Sequence, residues 1–202
     1  MKGLILKDML NLKQQLRIYL LVVVIWIFTG FASQDSAFIG GILMIFMAML
    51  PINALAYDEK AKWEAYALSM PVSRRDLVLS KYLLMLIWAA VGAAILILVG
   101  YFIERSFATA LTNTMIFFLM GLSLSAIMLP VVFRYGTEKG RMALIAVVLI
   151  PTLLAMGLSK FNVPMPSEKV LSGLILAAPV AVLLLLAGSV VLSCRIYEKK
   201  EF

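Results

Sequence analysis

Apolar runs of 15 to 25 residues alternate along this chain with short polar breaks. A bilayer's hydrocarbon core is about 30 Å thick and takes roughly 20 apolar residues per helix. Six runs answer to that length: 18–32, 38–57, 82–103, 115–133, 142–158 and 170–194. The pattern therefore predicts an all-α, polytopic membrane protein with six transmembrane helices and short loops. Four prolines, Pro51, Pro130, Pro151 and Pro179, fall inside the runs, where each removes a backbone donor and can kink its helix. Small residues four apart, Ala89/Ala93 and Gly121/Ser125, are placed for close helix approach.

Two segments outside these runs carry a pattern of their own. Residues 1–17 read as an amphipathic interfacial helix, with Ile5, Met9, Leu12 and Leu16 on one stripe and Lys7, Asn11 and Gln14 opposite. That stripe is expected in the acyl boundary, with the lysines toward anionic headgroups. The loop 58–81 is longer than a bare connection requires. Ala61 to Leu68 has helix-forming composition with Trp63, Tyr66 and Ala67 near one face, and Met70-Pro71 stops it. Ser73 then caps a second helix with Asp76 at its third position, an acidic capping box. An exposed Trp63 and the Arg74-Arg75 pair on such a helix–turn–helix form a shape suited to docking another protein.

Composition sharpens the membrane reading. Of 202 residues 63% are hydrophobic and 14% charged, against roughly 45–50% and about 25% in soluble domains. Fifteen of the 18 Lys and Arg fall in the N-terminal segment, the loops after the second and fourth runs, and the tail 195–202. Those regions are thus assigned to the cytoplasm, with both termini inside. The net charge of +7 is an orientation signal and not a nucleic-acid footprint.

The same counts remove chemistries. With no His there is no Ser-His-Asp or Cys-His nucleophile pair and no HExxH zinc site, and the single Cys194 forms no internal disulfide. No charged residue lies deep in the six runs, which argues against ion-driven transport by this chain alone. The Gly136–Arg141 segment lacks the spacing and terminal Lys-Ser/Thr of a phosphate-binding loop. No catalytic, metal or cofactor site is expected, and the energy for any transport would come from a partner.

The N-terminal Gly3-Leu4-Ile5-Leu6-Lys7-Asp8, the six runs and the loop Asp58-Glu59-Lys60…Trp63-Glu64…Leu68-Ser69-Met70-Pro71-Val72-Ser73-Arg74-Arg75-Asp76…Lys81-Tyr82 together resemble the ABC-2 type permease subunits of bacterial ATP-binding-cassette exporters. The resemblance covers essentially the whole chain. It implies a six-span permease domain over 18–194, with 58–81 as the cytoplasmic loop that docks on a separate ABC ATPase subunit. It implies Trp63, Glu64, Met70, Pro71, Arg74 and Arg75 as ATPase-coupling residues, ATP and Mg held by that partner, and a second permease chain completing the path in the bacterial cytoplasmic membrane. Thirteen methionines suit an amphipathic or hydrophobic substrate such as a membrane-active peptide, antimicrobial or lipidic compound. A membrane scaffold or sensor without transport, and a membrane-embedded enzyme, are the competing readings.

Overall fold

The computed structural model describes residues 2–67, 72–160 and 168–199. Helices cover the six apolar runs and the helix-forming part of the 58–81 loop: α1 (Lys2–Ser33), α2 (Ala37–Lys60), α3 (Trp63–Ala67), α4 (Arg74–Glu104), α5 (Phe107–Tyr135), α6 (Thr137–Lys160) and α7 (Glu168–Glu198). Among the described residues, five stretches are long and apolar enough to cross a bilayer: Gln15–Ser33, Ala37–Lys60, Arg74–Glu104, Phe107–Tyr135 and Ala177–Glu198. Helix α6 covers the fifth expected run but is not among these five.

The junctions follow local chemistry. Ser73 and Asp76 form the expected capping box, with Asp76 N donating to Ser73 Oγ at 3.1 Å and Ser73 N to Asp76 Oδ2 at 3.2 Å. Lys62, between α2 and α3, and Arg105, after α4, are left-handed at φ 48° and 53°. Gly136 divides α5 from α6 at φ 86°, ψ 170°, a backbone region open essentially to glycine alone.

Helix α5 is the hub, packed against α2, α4, α6 and α7, while α1 lies on α2 and α4. Close approach around α2 depends on missing side chains. Met47 of α2 reaches both Gly92 of α4 and Gly121 of α5, and a Cβ on either glycine would stand 2.6 Å from Met47 Cε or 2.9 Å from its Sδ. The α4–α7 seam is polar: Tyr82 Oη lies 2.6 Å from Ser189 Oγ and 2.8 Å from Ser193 Oγ. Ser189 Oγ in turn donates to the Ala126 carbonyl of α5. Each hydroxyl thus finds the partner that burial demands.

One expectation is corrected here. The N-terminal segment 1–17 and the first run are a single unbroken helix, and its stripe faces protein. Leu12 is fully buried against Leu50, Ala54 and Leu84, with Ile5, Met9 and Leu16 packed beside it. It is the opposite side, with Leu6 and Leu10, that is exposed. Periodicity identified the stripe correctly but could not say that α2 and α4 would cover it before lipid did.

Candidate functional site

The ends of the helices bearing the basic residues converge at one end of the bundle, and there the chain does something costly. Lys81, at the start of α4, places Nζ 2.6 Å from Asp58 Oδ2 and 2.7 Å from Asp8 Oδ2. Lys7 completes the group, hydrogen-bonded to Asp58 and 3.1 Å from Asp8 Oδ1. The Asp8, Asp58 and Lys81 side chains are 1%, 7% and 4% exposed. Two cations and two anions balance, and this neutrality is what permits burial: removing one partner would strand a charge in a poorly solvated place. Three helices are tied at once, α1 through Lys7 and Asp8, α2 through Asp58, and α4 through Lys81.

The loop helix α3 joins the same knot. Lys7 Nζ stands 4.4 Å from the centre of the Trp63 ring, a cation–π contact. Trp63 also meets Tyr66, ring centroids 5.5 Å apart, and packs on the main apolar core, to which Ala67 belongs. The expectation of an exposed Trp63 is therefore corrected. Tyr66, 59% exposed, is the outward aromatic of α3. Trp63 faces inward onto the core, with Lys7 held over its ring by the ion cluster.

Arg74 and Arg75 act within the chain. Arg74 Nη1 donates to the Glu198 carbonyl at 2.7 Å and to that of Tyr197 at 3.4 Å, meeting the final carbonyls of α7. Arg75 Nε donates to Glu198 Oε1 at 2.6 Å from a side chain 71% exposed. The pair fastens the end of α7 to the start of α4. Glu59 performs a parallel service for α6: its carboxylate accepts from Thr137 N at 3.2 Å and from the Thr137 hydroxyl, placing negative charge at that helix's N-terminus.

Of the residues expected to couple to a partner, Trp63, Arg74 and Arg75 thus come together at one end of the bundle with α1, α4 and α7. Glu64 belongs to α3. Met70 and Pro71 lie outside the described residues. Local spacing does not predict the quartet itself. Its signal was Asp8, three residues after Ile5 and four before Leu12, and so a carboxylate on the apolar stripe.

Above this end, an apolar cavity of about 140 Å³ lies between α1, α2 and α4, lined among others by Tyr19, Val23, Phe46, Trp88 and Ile95. Among the described residues no group of three or more His, Cys, Asp or Glu gathers with the geometry of a metal site. The arrangement can bind, tether and transmit movement between helices.

Residues 3–198 match the family described as ABC-2 family transporter protein. No curated protein and no solved structure matches the chain.

Proposed function

The chain belongs to the ABC-2 family of transporter proteins, and on that premise we propose that it is the permease of an ABC exporter, with a second permease chain forming the path and separate ATPase subunits driving it. Both termini and the charged end then face the cytoplasm of a bacterial cell, and α6 is the sixth crossing. ATP would be hydrolysed on the partner, whose closure moves the 58–81 loop. The observation that carries this reading is the knot of Lys7, Asp8, Asp58 and Lys81 with Trp63 above it. A push on α3 would be felt by α1, α2 and α4 together, because a buried neutral ion group shifts as a unit more cheaply than it separates. Tyr66 and the outer edge of Arg75 would meet the ATPase, while Trp63 and Arg74 hold the docking segment to the bundle. The apolar cavity suits an amphipathic or hydrophobic cargo.

Purification of the tagged chain from its native membrane tests this. We expect a co-purifying ATPase with vanadate-sensitive hydrolysis. The Trp63→Ala/Arg75→Ala double variant should insert normally yet retain much less of that ATPase. Absence of any ATPase would favour the scaffold reading, and full retention by the variant would remove the docking role from this loop.

A further inference from the structure

A second polar site lies at the same end of the bundle, on the face of α2 between α1 and α6. Gln15, Asn53, Ala56, Tyr57, Lys60 and Arg141 line a recess of about 70 Å³. That is several times the roughly 10–15 Å³ a single water needs. Its wall is built deliberately. Asn53, 4% exposed, donates from Nδ2 to Tyr19 Oη at 2.7 Å and accepts from Arg141 Nη2 at 3.1 Å. The buried amide thereby fixes the guanidinium by one nitrogen and leaves its other donors turned to the recess or to water. The neighbouring carboxylate, Glu138, forms only a loose, exposed ion pair with Arg141 Nη1 at 3.9 Å, beyond hydrogen-bond reach. Lys60, in the last turn of α2, brings a second cation to the rim and pairs with no carboxylate among the described residues.

The Gln15 side chain on this wall carries an unpaired atom. Gln15 Oε1 is buried without a hydrogen-bond partner, which costs free energy unless something fills the site. Two cations, an amide and a phenol around a small recess are the donor set for a phosphate group: a guanidinium fork for two oxygens, an ammonium for a third. Exposed Ile18 and Leu21 continue along α1 from Gln15 toward the far end of the helix, so a phosphate seated here can trail acyl chains along the helix.

We propose that the Gln15–Lys60–Arg141 recess binds a phosphate group, as the headgroup of a phospholipid or as free phosphate. Its occupant bridges α1, α2 and α6, and among the described residues the backbones of α1 and α6 do not pack against each other. The site is independent of any transport activity.

Native mass spectrometry of the full chain in detergent tests the assignment, with phosphatidylglycerol, phosphatidylcholine and inorganic phosphate as probes. We expect phosphatidylglycerol to be retained and the Lys60→Gln/Arg141→Gln variant to bind it about a hundredfold less, the loss expected for two charge-assisted contacts. Lys139→Ala, which removes an exposed cation at the same end, should leave binding unchanged. If the double variant does not fold, Lys60→Gln alone, at an exposed position, reads the same loss in smaller degree. Displacement of the lipid by inorganic phosphate would identify free phosphate as an occupant, and retention against it would identify the headgroup. Equal binding by wild type and variant, or an equal loss in Lys139→Ala, would overturn the site.

Discussion

Lys81 and Asp8 meet at 2.7 Å across 73 residues of sequence, with both side chains almost wholly out of solvent. Their contact is half of a neutral quartet, and its energetics are those of a buried group that tolerates replacement as a whole far better than in part. Lys81→Met should destabilise the protein by about 3–5 kcal/mol, because two carboxylates are left with Lys7 alone. Adding Asp8→Asn to that variant, which leaves Lys7 and Asp58 as one neutral pair, should recover most of the loss. Thermal unfolding of the detergent-purified chain compares the two. A Lys81→Met protein as stable as wild type would show that the quartet carries no such strain.

Arg74 and Arg75 are neighbours with unequal duties. Arg74 meets backbone carbonyls at the end of α7, whereas Arg75 makes an ion pair with Glu198 in the open. Arg74→Ala should raise hydrogen exchange over the last turn of α7 by an amount equivalent to about 1–2 kcal/mol. Arg75→Ala should change it far less, since exposed pairs contribute little. Equal effects would deny Arg74 its role at the helix end.

Met47 has two exits, one toward Gly92 and one toward Gly121. Gly92→Ala or Gly121→Ala alone should cost under about 1 kcal/mol, because the flexible thioether swings away from either new methyl. Both together close the exits, and the double variant should lose about 1–3 kcal/mol beyond the sum of the singles. A double-mutant cycle on thermal stability measures the excess, and simple additivity would mean that the seam between α2, α4 and α5 yields elsewhere.

Ser73→Ala removes the hydroxyl that receives Asp76 N at the head of α4. About 1 kcal/mol should be lost, read as faster amide exchange over residues 74–77. Ser73→Asp should preserve the protection, since a carboxylate accepts the same bond. Should the aspartate variant exchange as fast as the alanine one, capping would not be what holds this turn.

Features carried by local spacing were legible in the sequence. The apolar runs located the six long helices, and Ser73 with Asp76 announced the capping box before α4. Gly121 and Ser125 promised close packing, and Gly121 does take Met47 against its bare backbone. Other features needed partners distant in sequence. The stripe of Ile5, Met9, Leu12 and Leu16 was visible, but periodicity gives a face and not what covers it. Asp8 interrupted that face without revealing that Lys81 would answer it. From the loop alone Trp63 looks outward, because nothing in it shows Lys7 arriving from α1. Arg74 and Arg75 resembled free basic residues until the end of α7, more than 120 positions later, came to rest on them.

The quartet also fixes an order of events during biosynthesis. Asp8 is made 73 residues before Lys81, and at about 5–20 residues per second the ribosome leaves it waiting for roughly 4 to 15 s. Through that interval α1 has only Lys7 to balance its carboxylate. The ion group shared by α1 and α2 therefore stays incomplete, one cation short for Asp8 and Asp58, until the head of α4 delivers its ammonium. Closure of this end of the bundle is thus a late step, set by when the third long helix begins and not by when the first is complete.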